Sequence, residues 1–108
     1  MYKRQVPARH ARQILLNLLS NAARHSPGAI RLEAGVSVRR LQLTVADEGG
    51  LSDDLLRALR RRTPPSGTKG LGLWVVRQLV AAQGGTLRAR ALSPTGTAVQ
   101  VVLPRRRH

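Results

Sequence analysis

Residues 7–25 carry the pattern that most constrains how this chain can fold. Four apolar residues in this stretch recur at helical spacing on one side: Leu15, Leu18, Leu19 and Ala22. The spacing predicts one long amphipathic helix with that side against the core, and the Ser-Pro-Gly sequence at 26–28 ends it. The helix therefore needs a second layer of structure to cover its apolar side.

The same helix carries a polar stripe. Its members stand at positions i, i+4, i+7 and i+8, and they are Asn17, Asn21, Arg24 and His25. Two carboxamides on the inward part of an amphipathic helix are costly to bury unless a polar group meets them. A hydrated metal ion and a polyphosphate would meet them, which makes the helix a candidate ligand wall. The alternative is that Asn17 and Asn21 are buried structural amides.

The rest of the chain alternates in the manner of a half-buried sheet. Four strands are predicted, at 29–36, 40–46, 86–92 and 97–103. Two further helices are predicted: a short one capped by Ser52, and a long one at about 71–83 that Gly84 and Gly85 end. This order predicts an α/β (α+β) two-layer sandwich, in which helices cover one face of a mixed, mostly antiparallel sheet.

The amino-acid composition favours some classes of binding partner and excludes others. The 19 basic and 5 acidic residues give a formal net charge of +14, which favours polyanions. However, 17 of the basic residues are Arg, and we weigh this skew as generic composition rather than a binding surface. The chain has one Trp, one Tyr and no Phe, so stacking on single-stranded nucleic acid is not expected. The absence of Cys excludes thiolate metal sites, and no apolar run approaches the roughly 20 residues of a membrane span, so no membrane contact is expected.

Two glycine-containing segments add candidate ligand groups. Asp47 ends a predicted strand and is followed by Glu48, Gly49 and Gly50, which would let a ligand approach the backbone. The segment 67–73 (GTKGLGL) runs directly into a helix N-terminus, where free N–H groups favour phosphate. Each signal alone is weak, since such segments are often ordinary turns. The second follows no strand and lacks the Gly-Lys-Ser/Thr ending, so neither a Rossmann nor a P-loop site fits.

Taken together, the three clusters resemble a known family. NLLSNAARHS at 17–26, the Asp47 segment and GLGLWVVRQLVAAQGGTL at 70–87 resemble the N, G1 and G2 boxes of the ATP-binding catalytic domain of sensor histidine kinases. This domain (HATPase_c) belongs to the Bergerat or GHKL group, with type II topoisomerases, heat-shock chaperones and mismatch-repair ATPases. On this resemblance we expect an N-terminal flank at 1–5, the catalytic domain at 6–103 and a basic tail at 104–108.

The resemblance implies a Bergerat ATP-binding fold with ATP and Mg²⁺ as cofactors. Asn17 and Asn21 would be the catalytic and metal-holding residues, and Asp47 would accept a hydrogen bond from the adenine amino group. A loop at about 55–69 would form the lid. The residues implied to contact ATP are Asn21, Arg24, His25, Asp47, Gly49, Thr68, Lys69, Gly70, Leu71 and Gly72.

Asn17 separates the subfamilies. Where topoisomerases, chaperones and anti-sigma-factor kinases carry a glutamate base, this chain has an amide, which cannot take a proton near neutral pH. A histidine acceptor is itself nucleophilic and needs no such base. The resemblance therefore implies a histidine kinase domain that holds Mg-ATP without fast hydrolysis.

The expected function is the Mg-ATP-binding catalytic domain of a two-component sensor histidine kinase. It would present the γ-phosphoryl group to a histidine on a separate dimerisation and phosphoacceptor domain, in the same or a parent chain, with a response regulator downstream. The domain would be cytoplasmic, alone or as part of a membrane-bound kinase, and incomplete as an enzyme by itself. The alternatives are a degenerate nucleotide-binding regulatory module and an anti-sigma-type serine/threonine kinase; nucleic-acid binding ranks last.

Overall fold

The computed structural model describes residues 8–25, 28–50, 53–66, 71–92 and 94–105, without the side chains of His25, Asp53 and Asp54. Three helices are present: α1 (Ala8–His25), α2 (Asp53–Arg60) and α3 (Leu71–Ala82). The four strands are β1 (Ile30–Val36), β2 (Arg40–Asp47), β3 (Thr86–Ala91) and β4 (Thr97–Pro104). Each predicted element is found within one or two residues of its expected bounds. None of the described helices is long and apolar enough to cross a membrane.

The strands form a single sheet in the order β1-β2-β4-β3. Each neighbouring pair is antiparallel, so the prediction of a mostly antiparallel sheet is confirmed. β1 and β2 form the expected hairpin, in which Ile30 lies opposite Asp47. β4 inserts between β2 and β3 and places Thr97 on the other side of Asp47. The end of β2 is therefore enclosed by a strand on each side.

Helices cover one face of this sheet, as predicted. Because side chains alternate along a strand, the covered face is built from every second residue of β2 and β4. The buried apolar strand residues on that face are Leu43, Val45, Val99, Val101 and Leu103. They share one core with Ile14 and Leu18 of α1 and with Val76 and Val80 of α3. The opposite face carries Gln42, Thr44, Arg88, Arg90 and Gln100, of which none is fully buried.

Helix α3 ends where the two glycines predicted. Gly84 has a φ of +73°, which a glycine adopts without steric cost. The N–H of Gly84 bonds to the carbonyl of Ala81 at 3.0 Å, and that of Gly85 bonds to the carbonyl of Val80 at 2.9 Å. This pair of bonds is the Schellman arrangement, and it satisfies carbonyls that the helix leaves unpaired.

The position of helix α2 shows that part of the lid expected at about 55–69 is not a loop. Leu55 and Ala58 are 7% and 5% exposed and belong to the core, because their i, i+3 spacing turns both inward. Arg77 of α3 donates to the carbonyl of Ala58 at 3.3 Å and to that of Arg61. The first six residues of the expected 55–69 lid are thus packed helix, and the loop begins at Arg61.

Candidate functional site

The candidate site has two parts, and the first is the Asp47 turn, residues 47–50. Asp47 is the last residue of β2 and shares the helix-covered face with Val45. Its Oδ1 accepts a hydrogen bond from the N–H of Gly49 at 2.7 Å. Within the described part of the chain, Oδ2 makes no hydrogen bond, so the carboxylate is fixed in orientation and still has an oxygen for a ligand.

Strand β4 holds this turn in place. Thr97 is 4% exposed, lies opposite Asp47 and donates from Oγ1 to the carbonyl of Gly49 at 2.8 Å. Gly96 has a φ of +119°, and a Cβ there would come within 2.7 Å of the Asp47 carbonyl oxygen. Sequence reasoning missed both residues. The available signal was the Ser-Pro-Thr-Gly turn at 93–96, which ends in Gly96 and precedes Thr97, but it does not reveal that β4 pairs with β2.

The chain leaving α1 packs against the same turn. The N–H of Ala29 donates to Glu48 Oε2 at 2.8 Å. A Cβ at Gly28 would overlap the Glu48 carboxylate, so a larger residue there would have to displace that flexible side chain from its bond to Ala29. The structure thereby brings the end of α1, with exposed Arg24 in its last turn, close to the Asp47 turn.

The second part is the α1–α3 seam, formed by Asn17 and Asn21 of α1 with Leu71 and Gly72 at the start of α3. Asn17 Nδ2 donates to the carbonyl of Gly72 at 3.1 Å, across 55 residues of sequence. Asn17 Oδ1 accepts from Gln13 Nε2 at 2.8 Å and retains one lone pair. Asn17 therefore ties the two helices together, which is a structural role in addition to the one implied by the resemblance.

Asn21 differs from Asn17 in its bonding. It lies one turn further along α1 and is half-buried. Its carboxamide makes no hydrogen bond to any described residue, so both its oxygen and its nitrogen are available. Leu71 and Gly72 are exposed and lie in the first turn of α3, whose N–H groups have no partner within the helix. The seam thus offers donors and an amide oxygen to an anionic ligand.

Several predicted site residues lie outside what the structure describes. Thr68, Lys69 and Gly70 are outside the described residues, and so is the side chain of His25. Their contacts with ATP stay predictions. Of the others, Asn17 and Gly72 are in direct contact, and Asp47 and Gly49 form one turn.

The donor chemistry of the seam suits Mg²⁺ brought by a nucleotide. Among the described residues, no group of three or more His, Cys, Asp or Glu side chains could hold a metal ion. Mg²⁺ commonly keeps several waters and binds substrate phosphates with only one or two protein oxygens. The carboxamide oxygens of Asn17 and Asn21 are hard donors of that kind.

Comparison with known proteins identifies relatives of this chain. Residues 7–107 match the model of the family described as histidine kinase-, DNA gyrase B-, and HSP90-like ATPase. The signal transduction histidine-protein kinase/phosphatase MprB of Mycolicibacterium vanbaalenii is 36% identical in an alignment of length 108. The alignment covers 85% of this chain and 22% of that protein. The chain thus spans about a fifth of that curated relative's length.

Solved structures agree in fold. A mycobacterial sensor histidine kinase MprB superposes with a TM-score of 0.68 at 31% identity, covering 94% of this chain and 74% of that one. Full-length ShkA in complex with AMPPNP superposes with a TM-score of 0.72, also at 31% identity, covering 92% of this chain and 22% of that one. The two-layer fold predicted from the sequence is therefore confirmed.

Proposed function

We propose that this chain, which belongs to the family of histidine kinase-, DNA gyrase B-, and HSP90-like ATPases, presents the γ-phosphoryl group of Mg-ATP to a histidine on a separate domain. Family membership confirms the resemblance carried by the N, G1 and G2 boxes. The chain is an ATP-binding catalytic domain of the sensor histidine kinase type. Transfer to histidine, the metal and the partners are our proposals for it.

Asn17 is the observation that carries the proposal. Its carboxamide is engaged with Gly72 and Gln13 at 3.1 and 2.8 Å, and an amide has no basic group with which to activate water or a hydroxyl. A site without such a base suits an acceptor that is already nucleophilic, such as a neutral imidazole. Catalysis would then rest on positioning and charge neutralisation.

Each part of the site has a role in this proposal. The free oxygen of Asp47 accepts a hydrogen bond from the adenine amino group, and Gly49 allows the base to lie close to the backbone. Asn21, Arg24 and the first turn of α3 bind the phosphates. Asn17 and Asn21 would hold Mg²⁺, which would supply neutralisation of the phosphate charge.

The transfer itself needs a partner. An imidazole nitrogen of the acceptor forms a bond to the γ-phosphorus while the bond to the bridging oxygen breaks, and ADP leaves with that oxygen. We place the acceptor on a dimerisation domain of the same or a parent chain and a response regulator downstream of it. Both partners fit a cytoplasmic location for this domain.

The Asp47→Asn variant tests the binding site. The substituted carboxamide would keep the bond to Gly49 through its oxygen but would present an NH₂ donor to the adenine NH₂ donor. We expect the affinity for ATP to fall about 100-fold, the value of a charged hydrogen bond lost and a donor left unpaired. Isothermal titration calorimetry with ATP measures this, and Ser20→Ala on the exposed side of α1 is the matched control. Unchanged affinity in Asp47→Asn would refute the adenine assignment.

Phosphotransfer needs a separate experiment. The chain is mixed with a purified dimerisation hairpin from a sensor kinase and with ATP labelled at the γ-phosphate. We expect an acid-labile label on the hairpin that disappears when its histidine is replaced by glutamine. Normal ATP binding without such a label would reject histidine phosphotransfer and leave nucleotide binding intact.

A further inference from the structure

A groove of about 460 Å³ lies on the open face of the sheet, by which we mean the face opposite the helices. The strand registers place Gln42 of β2, Val102 of β4 and Thr86 of β3 in one row across this face, and all three line the groove. The groove lies at the start of β2, whereas Asp47 is at the end of that strand. It is therefore separate from the candidate nucleotide site.

Backbone contacts fix the walls of the groove. On one side, the link between α3 and β3 passes close to β4, because a Cβ at Gly85 would overlap the carbonyl oxygen of Val102. On the other side, the carbonyl of Arg39 accepts a hydrogen bond from the N–H of Arg105 at 2.7 Å. Both walls belong to the folded chain, so the groove is formed before a partner binds.

The rim of the groove is positively charged. Arg39, Arg40 and Arg88 line it and are exposed. None of the described lining residues is acidic, and the segments outside the described ranges contain no Asp or Glu. Glu33 is on the same face of the sheet, but it lies three strands away from Arg88 and pairs with Arg31 at 3.4 Å. The groove therefore favours an anionic partner.

The spacing of two of these arginines indicates the length of the partner. Arg40 precedes Gln42 by two residues on β2, and Arg88 follows Thr86 by two residues on β3, so they lie at diagonally opposite corners around Val102. Two strand spacings and four residues of strand length separate their Cα positions by roughly 16 Å. An extended peptide repeats a side chain on one side about every 6.6 Å. Acidic residues at alternate positions of such a peptide match this separation.

The floor of the groove favours a peptide over other polyanions. Gln42 and Gln100 line it with carboxamides, which can both donate to and accept from a peptide backbone. None of the described lining residues is aromatic, so nucleobases would find no ring on which to stack. A lipid surface is bound by protruding apolar residues beside basic ones, whereas half-buried Val102 and Pro104 lie within a concave surface.

We propose that this groove binds an extended acidic peptide segment of a partner protein. Arg40 and Arg88 each bind a carboxylate through the planar guanidinium, and Gln42 and Gln100 bond to the peptide backbone. Arg40 and Asp47 are seven residues apart on β2, which is about 23 Å. The peptide and ATP should therefore bind without competing.

Fluorescence anisotropy tests the proposal. A labelled peptide of about ten residues, in which Glu and Thr alternate, is titrated with the full chain. We expect saturable binding that Arg40→Glu and Arg88→Glu each weaken at least about tenfold, because each removes a charged hydrogen bond and turns a like charge toward the peptide. The same peptide with Gln in place of Glu should not bind.

The matched control is Arg12→Glu. Arg12 is exposed on α1, in the other layer of the fold, and its substitution makes the same change in net charge. We expect this variant to weaken peptide binding by less than about threefold, because exposed charges at that distance are largely screened by salt. An equal loss in Arg12→Glu would show a general charge effect and overturn the proposal.

Further measurements separate the groove from other sites and other partners. The urea midpoint of each variant verifies that it is folded, and saturating ATP should leave the peptide affinity unchanged. Displacement of the peptide by ATP would place it at the nucleotide site and overturn the proposal, as would no binding at all. Single-stranded oligothymidylate and phosphatidylserine vesicles are the competing probes. Tighter binding of either one, weakened by Arg40→Glu and Arg88→Glu, would reject the peptide as the occupant.

Discussion

The Asp47 turn and the α1–α3 seam are built in opposite ways. In the turn, the carboxylate of Asp47, the hydroxyl of Thr97 and the carboxylate of Glu48 are all engaged with backbone groups at 2.7–2.8 Å. In the seam, Asn17 is engaged, whereas Asn21 makes no hydrogen bond to the described residues. Arg24, which lies about one turn beyond Asn21 on α1, is exposed. One end of the site is formed before a ligand arrives, and the other keeps its polar groups for the ligand.

Because of this difference, the two parts of the site should lose different amounts of conformational entropy when a ligand binds. A group held by the fold loses little freedom when a ligand binds, so under the proposed assignment the Asp47 turn would recognise the base at low entropic cost. The side chains of Asn21 and Arg24 would have to be ordered by the phosphates, and that ordering would reduce their contribution. The two ends should therefore respond differently to substitution.

Gly96→Ala should have the largest effect on stability, because it changes a residue that packs against the Asp47 turn. An alanine at φ +119° is strained, and its Cβ would lie 2.7 Å from the Asp47 carbonyl oxygen. We expect a loss of about 2–4 kcal/mol in the free energy of unfolding, measured by urea denaturation. Gly50→Ala is the matched control, since nothing lies within 4 Å of a Cβ there. Equal stability of the two variants would contradict the rigid turn.

Asn21→Ala should have a smaller effect and a different signature. Loss of one amide contact to a charged phosphate or its metal should weaken ATP binding about tenfold. Adenosine lacks phosphates, so its affinity should change by less than about twofold. Calorimetry with both ligands separates the ends of the site. A parallel loss for ATP and adenosine would show that Asn21 does not act at the phosphates.

Thr97→Val should have the smallest effect of the three. Valine preserves the shape of the side chain but removes the bond to the Gly49 carbonyl at 2.8 Å. We expect about 1 kcal/mol of lost stability. Thr44→Val on the open face of β2 removes a hydroxyl that bonds to no described residue, so it should be neutral. If both variants unfold at the same urea concentration, the bond does not hold the turn.

Local patterns in the sequence predict much of this fold. Helical spacing over 7–25 identifies α1 because its apolar residues recur on one side over about two turns, from Leu15 to Ala22. Alternation identifies β1 and β2 and places Asp47 at the strand end, because each signal depends on neighbouring residues only. Gly84 and Gly85 predict the end of α3 for the same reason.

The sequence carries no local signal for contacts between elements that are far apart along the chain. No local signal shows that β4 enters between β2 and β3, so the role of Thr97 against Gly49 was missed. The bond from Asn17 to Gly72 spans 55 residues and depends on how α1 packs on α3. The expected lid was wrong at 55–60 for a related reason: Leu55 and Ala58 are drawn into a core that only the assembled helices create.

The two bonds that Arg77 donates to the carbonyls of Ala58 and Arg61 also have a mechanical consequence. They fasten the root of the loop at 61–66 to the body of α3, the helix whose first turn belongs to the seam. Since the start of the loop and the seam both contact α3, a tilt of this helix would move the two together.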